Sequence, residues 1–550
     1  MTELRKYLDR RVSEMETERS SFIGHWKEIS QWEDPRRGRF VEDMPNDGTK
    51  QHQHIINSTS LLALRVATSG LFTGVMSPAR PWFKFETLNR DLMSVQAVRE
   101  YLYRVEQILR QIFLETNLYS AAPVMLKELL LFGTCAMSHV DDLENLARLH
   151  THTIGSYYTS IDEKGEPETF VLKKKMTAFQ MESMFGEENM SVPAKTALKL
   201  GHKDMFFDVI QFVETNPDFR EGALSSEFKK YRSLWYQPDN EDKTKFLRKS
   251  GFDDFPVYVL RWAVTGEDTY GTDCPGMLAL GDVKALQVQE KQKARGIEKM
   301  VSPPLKGPTT LRNSNINRNK EGVVIYDATR SREGLSTIYQ VSLPVDQLRV
   351  ESQSIEERIK EVFFVDLFKT ISNMKGIQPR NQLELTQRNQ ESLLLLGPAL
   401  ERIQREFLSK VIERTFKQAE DAGLIPEPPE ELQEGAGIDI KFISAVAQAQ
   451  RSVDIANIES YTNFVGFVKD IDPAVVAKYN GDQAVEEYAL LTGVSPSLNR
   501  DQEQVEEQRR QERELQEQAL QLQAGEVQAS TNAKNAAAVK SAAEAQNVGS

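Results

Sequence analysis

Cysteine is almost missing from this chain: Cys135 and Cys274 are the only two in 550 residues. They stand at no motif spacing, so a disulfide scaffold and a cysteine-ligated zinc site drop out, and a reducing place of synthesis fits. Nucleotide signatures are missing as well. No G-x-x-x-x-G-K-[ST], G-x-G-x-x-G or G-x-S-x-G occurs, so the phosphate cradles and nucleophile elbows those patterns build are not written here. Long apolar runs are also lacking. Leu61–Met76 contains Arg65, Pro123–Met137 contains Lys127 and Glu128, and both are too short to cross a bilayer. Residues 1 to 20 are charged throughout, which argues against a signal peptide. The expectation is a soluble protein with no membrane partner. Excess positive charge is the last absence. The net charge is −13 and the isoelectric point near 5.3, which disfavours phosphate-neutralising nucleic-acid binding over the whole surface.

What is present is enough apolar residue, 40%, to build a core in a chain of several domain-sized units. Leu4, Leu8, Met15, Phe22, Trp26 and Ile29 recur at helical spacing over 3–32, and Asp34-Pro35 ends that helix. Further helices are predicted at 55–76, 94–115 and 120–133. Between 150 and 265 the pattern becomes mixed, with strand-like runs around the turn Glu163-Lys164-Gly165 and in "FFDVIQFVET" and "YRSLWYQ". Two amphipathic helices follow at 276–300 and 345–368. Gly376 and Pro379 break "SNMKGIQPRNQ", a regular helix runs over about 391–421, and 436–500 reads as mostly helical. The fold class is α+β and mainly helical. The Gln/Glu-rich start of the tail, 501–550, suits a solvated helix, and its Ala/Asn/Ser end suits disorder.

Few residues suggest chemistry. His52 with His54 and His150 with His152 have the i, i+2 spacing that places two imidazoles on one strand face, but no third ligand stands near either pair. Asp141, Asp142 and Glu144 could hold Mg²⁺ for a nuclease, or form a solvated turn. No catalytic residue, cofactor or metal is assigned, and the reading is of a non-enzyme. The more informative segment is "SPPLKGPTTLRNSNINRNKEGVVIYDATR", residues 302–330, a polar extended finger between two helices. Lys306, Arg312, Arg318, Lys320, Arg330 and Arg332 lie in and just beyond it, against Glu321, Asp327 and Glu333. It is either an ordinary surface hairpin or a segment displayed on a two-helix stalk for a partner, such as an identical neighbour.

Several blocks bear a resemblance. "SGLFTGVMSPARPWFKF" (69–85), "ETNLYSAAPVMLKELLLFGTCAM" (115–137), "RWAVTGEDTYGTDCPGMLALGDVKALQ" (261–287), "VSPPL" (301–305) and "KFISAVAQAQ" (441–450) stand in this order. Together they resemble the portal, or head-to-tail connector, proteins of T7-like short-tailed phages, with Ser-Ala-Val in the last block where Ser-Pro-Leu is usual. The resemblance implies a portal fold assembled into a ring, usually a dodecamer. It maps a wing onto 1–270, stem helices onto 271–300 and 345–370, a clip onto 301–344 and a tunnel loop onto 371–385. Long wing and crown helices would occupy 386–500, with the tail, 501–550, not covered. It implies clip residues Lys306, Arg312, Arg318, Lys320, Arg330 and Arg332 for docking. Lys375 and Arg380 of the tunnel loop would touch DNA in passing. The implied partners are further copies of the chain, the terminase packaging motor, tail adaptor or nozzle proteins, capsid and scaffolding proteins, and double-stranded DNA read without sequence preference. The implied place is the portal vertex of the virion, after synthesis in the host cytoplasm. A scaffolding or neck protein is the competing structural reading, and a packaging nuclease or ATPase the competing enzyme.

Overall fold

The computed structural model describes residues 2–35, 54–89, 92–93, 95–142, 144–223, 225–301, 305–306, 336–337, 344–373, 396–433, 438–442, 445–469, 478–492, 505, 507–517 and 531–539. Along the chain come α1 (Thr2–Glu33), α2 (Thr59–Val75), β1 (Phe83–Thr87), α3 (Gln96–Glu115), α4 (Leu118–Phe132), β2 (Thr134–Asp142), β3 (Leu146–His152), β4 (Tyr157–Ile161) and β5 (Pro167–Thr177). Next are α5 (Ala178–Phe185), α6 (Val192–Lys199), β6 (Phe206–Thr215), β7 (Tyr231–Tyr236), β8 (Arg248–Phe252), β9 (Val257–Arg261) and α7 (Pro275–Val301). The short strands β10 (Leu305–Lys306) and β11 (Ser336–Thr337) precede α8 (Val345–Val362) and α9 (Val365–Asn373). Then come α10 (396–403), a π-helical turn Gln404–Leu408, α11 (Ser409–Asp421), α12 (Glu430–Gln433), β12 (Ile438–Phe442), α13 (Ala445–Lys469) and α14 (Gly481–Thr492). Residues 507–517 and 531–539 are helical. No described helix is long and apolar enough to cross a membrane.

Two compact units divide the chain. The first holds Met1–Phe83, Gln107–Ile425 and Phe442–Ala447. Its centre is an antiparallel meander, β4-β5-β6-β7-β8, whose alternating side chains feed two cores. Ile210 and Phe212 on β6, with Leu234 and Tyr236 on β7, face Leu8, Val12 and Met15 of α1. Their neighbours Val209 and Trp235 face Met181 of α5 and Ala194 of α6, as a period of two requires. Thr177 and Gln180 close a capping box that starts α5 as β5 ends. Two buried arginines clamp α1 to the sheet. Arg5 lies 3.7 Å over the Tyr236 ring and donates to the Gln237 carbonyl. Arg19 lies 3.8 Å over Tyr158 and donates to the Gly155 and Tyr157 carbonyls at 3.0 and 2.8 Å. Each thus meets a ring face and donates to backbone oxygens, and Arg5 also pairs with Asp9 at 3.0 Å. A second sheet, β3-β2-β9, packs against α4.

The second unit holds Lys84–Glu106, Pro426–Lys441 and Gln448–Ser550. In it β1 pairs with β12, and Glu106 accepts from the Phe85 amide at 2.8 Å. Tyr479 bonds Thr462 and packs on Tyr461, and Arg509 makes a two-pronged pair with Asp482.

Four expectations need adjusting. Residues 84–106 cluster with the C-terminal unit and not with the rest of 1–270. A strand, β12, stands in the region read as mostly helical. Ile438, Ile440 and Phe442 alternate in the β manner, but the partner lies some 350 residues back, beyond any local pattern. The helix starting at Val345 stops at Val362. Phe364 takes a left-handed conformation, φ 54°, before α9 resumes. Residues 531–539, read as disordered, are helical, in keeping with their alanine content.

Candidate functional site

Three of the quoted motifs, 69–85, 115–137 and 261–287, meet where the α7–α8 helix pair joins the rest of the first unit. Gly133 ends α4 in the left-handed region, φ 70°, where glycine costs least. Its carbonyl accepts from the Trp262 amide at 2.8 Å, and the Thr134 hydroxyl accepts from the Gly271 amide at 2.7 Å. The chain passes so close here that a Cβ on Gly271 would lie 2.1 Å from the Gly133 oxygen. Cys274 donates its thiol to the Leu131 carbonyl, and burial, with Glu33 nearby, pushes that thiol's pKa up. Tyr270 is enclosed by Phe22 and Trp26 and accepts from the Thr159 amide. The "FGT" and "YGTDCPG" blocks are thus a weld holding the start of α7 to α4 and β2.

The "SGLFTG" block serves the other helix. A Cβ on Gly70 would sit 2.2 Å from the ring of Phe368 on α9, so α2 receives the chain just after the left-handed turn at Phe364. Along the pair itself several polar residues are matched, although Gln289 Oε1 and Ser352 Oγ are buried without a hydrogen-bond partner. The Gln287 carbonyl oxygen accepts from the Ile56 and Asn57 amides at 2.7 and 2.9 Å, and its amide donates to the Asn57 carbonyl. Asn57 also donates to Glu356, Arg358 pairs with Asp282 at 2.7 Å, and Lys284 pairs with Glu28. The sequence reading missed these residues. Their signal was a glutamine, Gln287, on the apolar stripe of an amphipathic helix, where only a paired polar group is tolerated.

Beyond the pair, β10 and β11 run antiparallel, with Leu305 opposite Thr337 and Lys306 opposite Ser336. The finger therefore leaves and returns side by side. Lys306 lies on β10, whereas Arg312, Arg318, Lys320, Arg330 and Arg332 lie outside the described residues, as do Lys375 and Arg380.

The candidate chemical groups are not brought together. His54 bonds the Gln31 carbonyl against Trp32, and His52 lies outside the described residues. His150 and His152 do share a face of β3, but His152 bonds Ser138, and burial, with His150 and Lys174 beside it, holds its pKa down to about 3. Asp141 is taken by Gln418 and Arg414, and Asp142 turns back to the Glu144 amide. Among the described residues no group of three His, Cys, Asp or Glu is set to hold a metal.

One titrating group has a measurable consequence. His139, fully buried on β2, accepts from the Tyr258 hydroxyl at 2.7 Å through Nδ1 and donates to Gln418 at 2.8 Å through Nε2. Burial, with Arg414 adding to it, lowers its pKa from 6.5 to about 3. The unfolded chain therefore binds the extra proton below about pH 6.5, and stability falls from there toward pH 3, by up to ~1.4 kcal/mol per pH unit. Glu33 acts in the opposite sense. It is wholly buried with neither carboxylate oxygen hydrogen-bonded, and burial, reinforced by Asp34, raises its pKa well above the usual range. It holds its proton in the folded state, so it favours folding as the pH drops through that range. Thermal melts from pH 7 to pH 4.5 should show His139→Gln with a shallower acid loss than the unaltered chain. An unchanged slope contradicts the assignment.

A family model described as "Bacteriophage head to tail connecting protein" matches residues 5–499. The chain belongs to this connector family. Connector relatives include the "Portal protein" of Salmonella phage epsilon15, 35% identical over 499 residues, which is 90% of this chain and 89% of the relative. The "Probable portal protein" of Bordetella phage BPP-1 is 34% identical over 495 residues, 90% and 88% of the two chains. Among solved structures, a chain of the "Neck of empty GTA particle computed with C6 symmetry" superposes with a TM-score of 0.36 at 11% identity, over 74% of this chain and 86% of that one. Membership in the connector family rests on the family match and on the sequence relatives. The family match, residues 5–499, takes in nearly all of α1, every described strand, the α7–α8 pair and the finger, and stops short of the tail.

Proposed function

We propose that this connector is a portal subunit, which assembles into a ring at one vertex of the phage capsid and encloses the channel for double-stranded DNA during packaging and ejection. The observation that carries this reading is similarity to a portal protein over 90% of the chain. The weld at Gly133 and Gly271 supports it physically, because a ring around moving DNA needs its α7–α8 stem fixed firmly to the body. The paired strands β10 and β11 then form the base of a clip. Lys306, Arg312, Arg318, Lys320, Arg330 and Arg332 would meet the packaging motor first and tail adaptor or nozzle proteins later. Lys375 and Arg380 would brush DNA phosphates in the channel. Capsid and scaffolding proteins would surround the ring in the virion.

The acidic balance suits the task. Each neutralised phosphate must be released again as DNA slides, and a dodecameric ring multiplies every cation by its copy number. The role is structural, with the energy for packaging supplied by the motor.

The test is a finger replacement. Substituting a short Gly-Ser link for residues 309–319 removes a polar tip with little apolar area, so stability should change by no more than about 1–2 kcal/mol. Rings of the variant should form, yet phage supplied only with it should fail to package DNA. Packaging at the ordinary rate would refute the docking role of the finger.

A further inference from the structure

The last residue of α1 is a buried acid that nothing in the chain satisfies. Glu33 is 0% exposed, and neither of its carboxyl oxygens has a hydrogen-bond partner. Its surroundings resist a negative charge. Asp34, the next residue, is buried as well, and both stand at the C-terminal end of α1, the negative pole of the helix dipole. The nearby cations are committed: Lys127 of α4 pairs with Asp34 at 2.5 Å, and Lys284 of α7 pairs with Glu28. Glu128 of α4 accepts from the Ile154 amide. Just ahead of α7, Asp273 precedes Cys274, which lies near Glu33 and donates its thiol to the Leu131 carbonyl. Two turns back on the same face of α1, Trp26 Nε1 is also buried and unpartnered. This end of α1 is a joint. Trp26 packs edge-on against Tyr270 at 5.4 Å, beside Gly271 of the weld, while Lys284 and Lys127 tie α1 to α7 and α4.

We infer that this joint is proton-operated: it closes with the Glu33 carboxyl neutral, and ionisation of Glu33 releases the end of α1 from the root of α7. A carboxylate without partners is not tolerated in such a site, so the charged form belongs to the joint opened to water. Opening then gives up one proton. Above the ordinary carboxylate range its frequency rises with pH, by up to about tenfold per pH unit, until Glu33 ionises in the closed joint as well. The sign is opposite to that of His139, whose proton uptake costs stability in acid. The stem root thus loosens as the surroundings turn from mildly acid to mildly alkaline. The device needs only one chain and stands apart from the ring reading.

The test is hydrogen–deuterium exchange of the full chain at pH 6 and pH 8, corrected for the intrinsic pH dependence of exchange. Peptides over 26–34 are compared with those of β6 and β7. The α1 peptides should open at least about 10-fold more often at pH 8, beyond any change in the strands. Glu33→Gln should abolish that difference and hold the end of α1 at its pH 6 level at both values. Glu33→Met should do the same if the glutamine variant does not fold. Asp34→Asn should keep a pH dependence, because Glu33 remains. Infrared spectra at pH 6 should show a protonated carboxyl band that Glu33→Gln removes. Opening independent of pH in the unaltered chain would overturn the inference, and so would a slope that survives Glu33→Gln. An α1 end that tightens with added Na⁺ or K⁺ at fixed pH would overturn it too, because Glu33 would then be ionised and held by a metal cation.

Discussion

Glu406→Ala should destabilise the body by about 3–5 kcal/mol, because it leaves a buried arginine without its counter-charge. Glu406 is 1% exposed and accepts from the Arg261 guanidinium and the Arg261 amide, both at 3.0 Å. After the change Arg261 would keep only the Gly165 carbonyl at 2.7 Å and a long contact to Asp268. Position 406 is reachable because Gln404–Leu408 is a π-helical turn, in which Glu406, Phe407 and Leu408 are all buried. A regular helix would turn one of three consecutive residues outward. Denaturant unfolding of the purified chain reads the effect. The double replacement Arg261→Met with Glu406→Leu should recover most of the loss, since neither charge is then left alone. A loss below about 1 kcal/mol for the single change would mean the pair is solvated and the π turn has another cause.

The second large effect is expected at Gly271. Gly271→Ala places a methyl 2.1 Å from the Gly133 oxygen and 2.7 Å from its carbonyl carbon. Both are backbone atoms and cannot rotate aside, so the weld must open, at about 2–3 kcal/mol. Gly74→Ala is the matched control. Gly74 lies in α2 with nothing within 4 Å of the added methyl, and alanine there should leave stability unchanged or raise it by up to ~1 kcal/mol. Thermal melts of the two variants side by side decide the matter. Equal melting temperatures would show that Gly271 is replaceable and that its motif serves something other than close packing.

Much of the first unit was legible because its patterns are local. The apolar spacing of α1, the alternation in β6 and β7 and the turn at Gly165 each announce their element within about ten residues. The resemblance carried Gly133 and Gly271 within its motifs, and the structure supplies the reason: backbones that touch. Less legible were the long-range matches. Nothing local to Glu406 names Arg261 as its partner, nothing in the stretch around Ile438 names β1, and Gln287 becomes meaningful only once Asn57 is beside it. The break at Phe364 escaped notice because neither glycine nor proline marks it. The basic residues that drew attention to the finger and to the tunnel loop remain a proposal, with Lys306 alone placed, on β10.

The central claim is that copies of this connector close into a ring around a channel. Negative-stain imaging of the purified full-length chain, with mass photometry on the same sample, tests it most directly. The account predicts rotationally symmetric rings with a central hole and a mass that is a whole multiple of 62.6 kDa. A stable particle of 62.6 kDa at every protein and salt concentration would contradict it.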